Sequence, residues 1–480
     1  MNFRTVTHRR FKAGDSHYAY LMPSAAVMRL DEVSTAIMDA FGSDEGVDLD
    51  AWFETKNQLE DFDDYRQTFN DMVAMNMIRP ADEIMPPPSD APPENYPLAT
   101  LVLNVTNKCN LSCTYCYEYG EDKLPGTNAA GGVPRKAMMS TETARESIDF
   151  LFDSAKDRPK VTITFFGGET LLNFGTVKQA AEYALKRARE GNMRVDFSLT
   201  TNATLLSDEV IDCLVEYGFG VSISIDGNRQ AHDKHRVFKS GNGSYDMIVP
   251  RIKKLLAKNK GRGRPIGARV TVTAGDTNLR ELYRHLTQDI GFDDVGFAPV
   301  TSAPGNDYAL DGGDYRVLLD EFSALAGEFV EHASRGERHG FSNLSDILRE
   351  VHLGTNKAHP CGAGLGLLGV STEGDLGLCH RFVESGDHEV GNVRDGIDEA
   401  KRTEFLRKGH ISNKLDCANC YARPICAGGC YHEAQVRYGD ASKANLHYCD
   451  WIRGWMDLGL NSYARIMEKN PSFFKAYERA

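Results

Sequence analysis

Between residues 98 and 300 the chain alternates two patterns. Apolar, β-branched runs fall at Leu101–Thr106, Val161–Phe166, Val195–Thr201, Val221–Ile225, Ala268–Thr273 and Val295–Val300. Stretches with helical spacing of apolar positions separate them, at Thr141–Ala155, Val177–Glu190, Ser207–Tyr217, Tyr245–Asn259 and Leu279–Gly291. Strand–helix alternation predicts an α/β fold with a parallel sheet or barrel. Six such units predict a partial (β/α)6 barrel of the TIM type, with chemistry at the C-terminal ends of the strands.

The flanking segments read differently. Phe11–Ala13 and His17–Leu21 predict a hairpin around Gly14-Asp15, with a third strand at Ala25–Leu30. A helix capped by Ser34 should run to Phe41, followed by helices at Asp50–Glu60 and Asp64–Met75. Residues 86–97, PPPSDAPPENYP, are half proline, which makes a semi-extended spacer and a domain boundary. After residue 300 a helix is expected over 314–335. Residues 361–449 are rich in Cys and Gly and too poor in periodic apolar runs to build much core without metal. A helix from Lys443 to Glu468 follows. The expected domains are 1–85, a small α+β module; 86–97, a linker; 98–335, the barrel; and 336–480, a Cys-rich domain.

Charge and composition narrow the function. The chain has 480 residues, with 55 Lys and Arg against 68 Asp and Glu, a net charge of −13. That balance argues against phosphate-backbone binding and against an anionic membrane surface. Residues 1–85 alone carry 8 basic and 16 acidic side chains, so a DNA-binding winged helix is not the first choice there. The acidic stretch Asp44–Asp64 and the basic run Arg251–Arg264 read as solvated faces. No apolar run is long enough to span a membrane, and the N-terminus lacks a secretory h-region. The expected compartment is the cytoplasm, where thiols stay reduced.

The 11 cysteines therefore read as metal ligands rather than as a disulfide framework. Cys109, Cys113 and Cys116 form a Cx3Cx2C motif three residues after the first barrel strand. Three thiolates so spaced can hold three irons of a cubane and leave the fourth open. A zinc site would need a fourth ligand from elsewhere. Phe166-Gly167-Gly168-Glu169 ends the second strand, Ser198, Thr200 and Asn202 end the third, and Ser224 with Asp226-Gly227 end the fourth. His232-Asp233-Lys-His235-Arg236 and Gly241-Asn-Gly243-Ser244 follow. This set resembles the radical S-adenosylmethionine (SAM) enzymes. The resemblance implies a 4Fe–4S cluster on Cys109, Cys113 and Cys116, whose open iron chelates SAM. It also implies that Gly167, Gly168, Glu169, Ser198, Thr200, Asn202, Ser224 and Arg236 contact the cofactor. Glu169 would accept from the SAM ammonium and Arg236 would pair with its carboxylate. Asp226 would face the substrate as the catalytic proton acceptor, unless it is a turn acid capping the next helix. His232 and His235 read as structural.

The later cysteines run Cys361-x12-Gly374-x4-Cys379, then Cys417-x2-Cys420-x5-Cys426-x3-Cys430, then Cys449. This is similar to the SPASM extension of peptide-maturing radical SAM enzymes, with two structural zinc sites as the competing assignment. The likeness implies two auxiliary clusters: one on Cys361, Cys379 and Cys430, whose fourth ligand is open, and one on Cys417, Cys420, Cys426 and Cys449. Cys213 fits no motif and reads as an inert core thiol.

The order of elements in residues 1–85 resembles the winged-helix-like peptide-recognition element of ribosomal-peptide maturases, which takes its substrate as an added strand. In length, in that module and in the run CANCYARPICAGGCYHEAQ, the chain resembles the subgroup that matures quinohemoprotein amine dehydrogenase. Membership implies intra-peptide thioethers from Cys sulfur to Asp or Glu carbons, formed through a 5′-deoxyadenosyl radical, with an external electron donor and a peptide or small-protein partner. Two alternatives stand beside it: a formylglycine-forming, sulfatase-maturing enzyme, and a zinc-binding adaptor without enzymatic activity.

Overall fold

A computed structural model describes residues 1–58, 61–83, 96–116, 137–155, 158–301 and 305–478. The proline-rich spacer falls mostly outside these residues. The N-terminal segment begins with strands Asn2–Thr5 (β1), His8–Ala13 (β2), Ser16–Leu21 (β3) and Ala26–Leu30 (β4). β2, β3 and β4 form the expected antiparallel meander, with Gly14-Asp15 at its first turn. The following helix, Glu32–Ala40, starts earlier than the sequence reading had it. Asp31 is its cap, accepting from Ser34 N, while the Ser34 hydroxyl answers the Asp31 N–H in a capping box. Two further helices are shorter than or shifted from expectation, at Leu49–Glu54 and Phe62–Ala74. Val47–Asp48 (β5) and Ile78–Pro80 (β6) flank β1 in a second small sheet. At two to four residues these strands are too short to show alternation.

The six predicted barrel strands appear within two residues of their expected bounds: Thr100–Thr106 (β7), Lys160–Gly167 (β8), Arg194–Thr201 (β9), Gly220–Ser224 (β10), Gly267–Val272 (β11) and Asp294–Pro299 (β12). They pair in parallel and in chain order. β7 is buried along almost its whole length, as a parallel strand covered on both faces must be. Helices Thr141–Ser154, Phe174–Glu190, Asp208–Glu216 and Tyr245–Asn259 connect the strands. Ser140 and Ser207 cap two of them. Below the strand ends, Phe165, Phe197 and Phe219 stack into the core, with 5.1 Å between the last two ring centroids.

The sheet does not end at β7. Leu367–Val370 (β13) pairs with β7 in parallel, and Asp375–Gly377 (β14), Glu389–Asn392 (β15) and Gly396–Ile397 (β16) extend it antiparallel to ten strands. The Cys-rich segment is thus stitched to the barrel edge beside the first motif. Its long C-terminal helix runs from Cys449 to Lys469, beginning six residues later than expected. The N-terminal module docks on that helix. Arg9 makes two bonds to Asp457 at 3.1 and 2.8 Å, Tyr18 donates to Glu468 at 2.6 Å, and Asn461 donates to the Lys12 carbonyl at 2.9 Å. Among the described residues no helix is long and apolar enough to cross a membrane.

Candidate active site

A cavity of about 410 Å³ opens at the C-terminal ends of the barrel strands. Side chains from β8, β9, β10, β11 and β12 line it, together with the loop after β7. Five parallel strands and the loop after the sixth thus converge on one cavity, where the expected α/β fold places its chemistry. Cys109, Cys113 and Cys116 sit in its wall with Gly167, Gly168, Glu169, Thr200, Asn202, Ser224 and Arg236. The structure thus gathers in one place ten of the twelve residues that the sequence assigned to the first cluster, the cofactor and catalysis.

Two members depart from expectation. Ser198 lies one layer deeper and shares a hydrogen bond with Thr164 at 2.7 Å, outside the residues lining the cavity. Asp226 is not in the wall either. It is buried at 4% exposure. Its oxygens accept from Arg236 Nε at 2.8 Å, Arg236 Nη2 at 3.1 Å, Thr271 N at 2.9 Å and the Tyr115 hydroxyl. A carboxylate offers about four lone-pair sites, and these contacts fill them. In this structure the Asp226 carboxylate thus faces Arg236, Tyr115 and Thr271. It does not cap the next helix, a task done by Asn228. Arg236, expected to be free for a cofactor carboxylate, spends Nε and Nη2 on Asp226. Burial opposes its charge, but Asp226 outweighs that and holds the guanidinium above its ordinary value.

Glu169 keeps the geometry its motif suggests. Burial pushes its carboxyl up, opposed by bonds from Thr201 Oγ1 at 2.6 Å, Asn202 N at 2.7 Å and Leu171 N at 3.1 Å. Thr201 and Leu171 both donate to Oε1, so Oε2 has an unused acceptor direction in the cavity wall. The loop is threaded so tightly that Gly167 is required. At φ +130° a Cβ there would stand 2.3 Å from the Thr106 carbonyl.

Secondary contacts fix the Cx3Cx2C loop. Leu111 N donates to Cys109 Sγ at 3.4 Å, and Asn202 Nδ2 reaches the same sulfur at 3.8 Å and Asn110 Oδ1 at 3.0 Å. His235 bridges Thr114 at 2.6 Å and Thr273 at 3.1 Å, and His232 lies 2.9 Å from Ser244 Oγ. Both histidines are structural, as expected. Burial raises the Cys109 thiol and pushes Cys113 up to about 12. Cys213 is buried on a helix face away from these groups and is pushed up to about 11 by burial, as befits an inert thiol.

The donor chemistry fits an iron–sulfur cluster: three thiols with N–H donors at one sulfur, at the end of a cavity that continues to an acceptor carboxylate. Among the described residues no three His, Cys, Asp or Glu side chains are close enough to share one metal ion. The thiols act on one another electrostatically in three sets. Cys109, Cys113 and Cys116 form the first. Cys361, Cys379 and Cys430 form the second, and Cys417, Cys420, Cys426 and Cys449 the third. Several wall residues were not foreseen: Tyr115, Arg269, Thr271, Thr301, His380 and Arg381. Tyr115 lies inside the Cx3Cx2C run and His380-Arg381 directly follow Cys379, so adjacency to a motif was the available signal.

The radical SAM superfamily model matches residues 103–284. A serine-type anaerobic sulfatase-maturating enzyme of Bacteroides thetaiotaomicron is 31% identical over 380 residues, which are 74% of this chain and 87% of that protein. This chain belongs to the radical SAM superfamily. Among solved structures, native anSMEcpe with bound AdoMet superposes with a TM-score of 0.61 at 21% identity, over 80% of this chain and all of that one. Streptococcus suis SuiB bound to its precursor peptide SuiA superposes with a TM-score of 0.50 at 13% identity, over 94% of this chain and 100% of that one. The two likenesses establish the shared fold.

Proposed function

We propose that this chain is a radical SAM peptide maturase that binds a ribosomal peptide or small protein through residues 1–85 and forms Cys-to-Asp or Cys-to-Glu thioether cross-links in it. The observation that carries the reading is the distribution of ten cysteines into three spatial sets, one of them in the wall of the barrel cavity. In this reading residues 98–335 are the barrel, 86–97 the linker and 336–480 the SPASM domain. The first set holds the SAM-binding 4Fe–4S cluster and the other two hold auxiliary clusters. When bound, cluster and SAM supply one-electron chemistry able to take a hydrogen atom from a peptide carbon.

The chain's own residues do the rest. Glu169 Oε2 receives the cofactor ammonium, and Gly167 and Gly168 let backbone approach it. Thr200, Asn202 and Ser224 supply polar contacts along the strand ends. Asp226 holds Arg236 and Tyr115 in place and is a positioning residue. The barrel wall excludes water and stray hydrogen donors. Maturation of a quinohemoprotein amine dehydrogenase small subunit is the substrate assignment that the sequence likeness favours.

Formylglycine formation is the second reading, favoured by the 31% identity to a sulfatase-maturating enzyme. Against it, that likeness covers 74% of the chain, whereas the fold likeness to SuiB bound to its precursor peptide extends over 94%. The test is anaerobic reconstitution with a co-expressed candidate peptide, dithionite and SAM. A product that has lost its free thiol, gained no carbonyl and kept its sulfur supports the thioether. A hydrazide-reactive aldehyde supports formylglycine. A colourless zinc protein with no SAM cleavage would return the adaptor reading.

A further inference from the structure

Lys414 is buried at 4% exposure, within electrostatic reach of cysteines of both the second and third sets. Lysine is almost never fully buried unless its charge is paired. Among the described residues no carboxylate lies within ion-pair distance of it. Its ammonium donates to the Ala427 carbonyl at 3.2 Å and stands 5.1 Å from the Tyr431 ring centroid. Burial pulls the Lys414 ammonium below its ordinary value, and the groups that oppose this and favour its charge are Cys417 and Cys426 of one set and Cys361 and Cys430 of the other. The chain also makes room for it. Gly428, in the Cys426-Ala-Gly-Gly-Cys430 run, has φ +85°, and a Cβ there would meet Lys414 Cδ at 2.6 Å and Nζ at 2.8 Å. Other cations near the cysteines act on one set each. Lys357 faces Cys361 and is paired with Glu350, Arg423 faces Cys417 and Cys420, and Arg453 faces Cys449 and is paired with Asp450.

We propose that Lys414 is the shared counter-charge of the two auxiliary clusters, holding both at a higher reduction potential than their thiolate ligands alone would set. The inference rests on the reading that these two sets bind clusters. A fixed positive charge stabilises the reduced, more negative form of a cluster, and net charge is one of the established controls on cluster potential. One ammonium facing both sets raises both together, which suits a pair that accepts an electron from a substrate radical.

The test is an EPR-monitored redox titration of reconstituted full-length protein, with iron and sulfide counted first. Wild type and the variants Lys414→Met, Lys414→Gln and Lys414→Arg are compared. In an iron-replete Met or Gln variant both auxiliary midpoint potentials should fall, while the SAM-binding cluster, whose cysteines are not among the groups acting on Lys414, serves as the unshifted control. Lys414→Arg should restore them. Auxiliary iron lost from the two neutral variants but kept in the Arg variant also supports the proposal, since charge rather than shape then holds the clusters. Unchanged potentials in an iron-replete neutral variant overturn it, as does iron lost from all three. About four irons in wild type, in place of about twelve, would instead overturn the auxiliary-cluster reading itself.

Discussion

The Asp226 carboxylate accepts bonds from Arg236, Tyr115 and Thr271, and that saturation sets what its removal does. Asp226→Ala leaves a buried guanidinium without a partner, which costs about 3–5 kcal/mol. The expected result is a lower urea midpoint and weakened SAM binding, with Asp226→Ala/Arg236→Met recovering part of the stability. Loss of product with stability and SAM binding untouched would restore Asp226 to the chemistry. His232 makes a second prediction at this scale. It has no exposed surface, and burial pushes it down to about 3. Between there and its unfolded value near 6.5 the unfolded chain binds one proton more than the folded one, so stability rises with pH in that window. Lowering the pH from 7 to 5 should therefore lower the urea midpoint, with a slope approaching about 1.4 kcal/mol per pH unit from this residue alone. His232→Asn should lessen that slope by its own share, the rest coming from other buried histidines such as His380 and His432.

At the scale of elements, the Gly167 turn joins β8 to the Glu169 loop through contacts with Thr106 at the end of β7. Gly167→Ala must both strain the backbone and push Thr106 away. The cost is at least about 1–3 kcal/mol, and Glu169 moves with the turn. SAM binding should be lost while far-UV circular dichroism stays native; tight SAM binding in the variant would argue against the turn's role. This turn was readable in sequence because its residues are contiguous and follow a long apolar strand. The same holds for β7 through β12, which are five to eight residues long and rich in apolar and β-branched positions. Strands β13 to β16 were missed because they are two to four residues long and interrupted by Gly374 and Gly377, so no alternation could build up. The surroundings of Asp226 were not readable for a different reason. Its partners Tyr115 and Thr271 are 111 and 45 residues away, and nothing local records that they converge on it.

Across the whole molecule, the N-terminal module, the third cysteine set and the C-terminal helix form one mechanical unit. Arg9 reaches Asp457 on that helix, and its guanidinium also lies 5.1 Å from the ring centroid of Tyr421, the residue after Cys420. Cys449 begins the same helix. Each surface ion pair here is worth little by itself, so docking depends on the set holding the Tyr421 loop and the helix start together. Cys417→Ser/Cys420→Ser should then keep about eight of twelve irons and retain SAM cleavage, because the barrel set is separate. Hydrogen exchange should accelerate in β2 and β3, where the module meets the helix, and leave β7 to β9 protected. Cys109→Ala should do the reverse: SAM cleavage abolished, the module still docked, and exchange in β2 and β3 unchanged. If both variants loosen the module equally, the three sets do not fold as separable units, and the division into barrel and auxiliary domain would have to be redrawn around a single cooperative core.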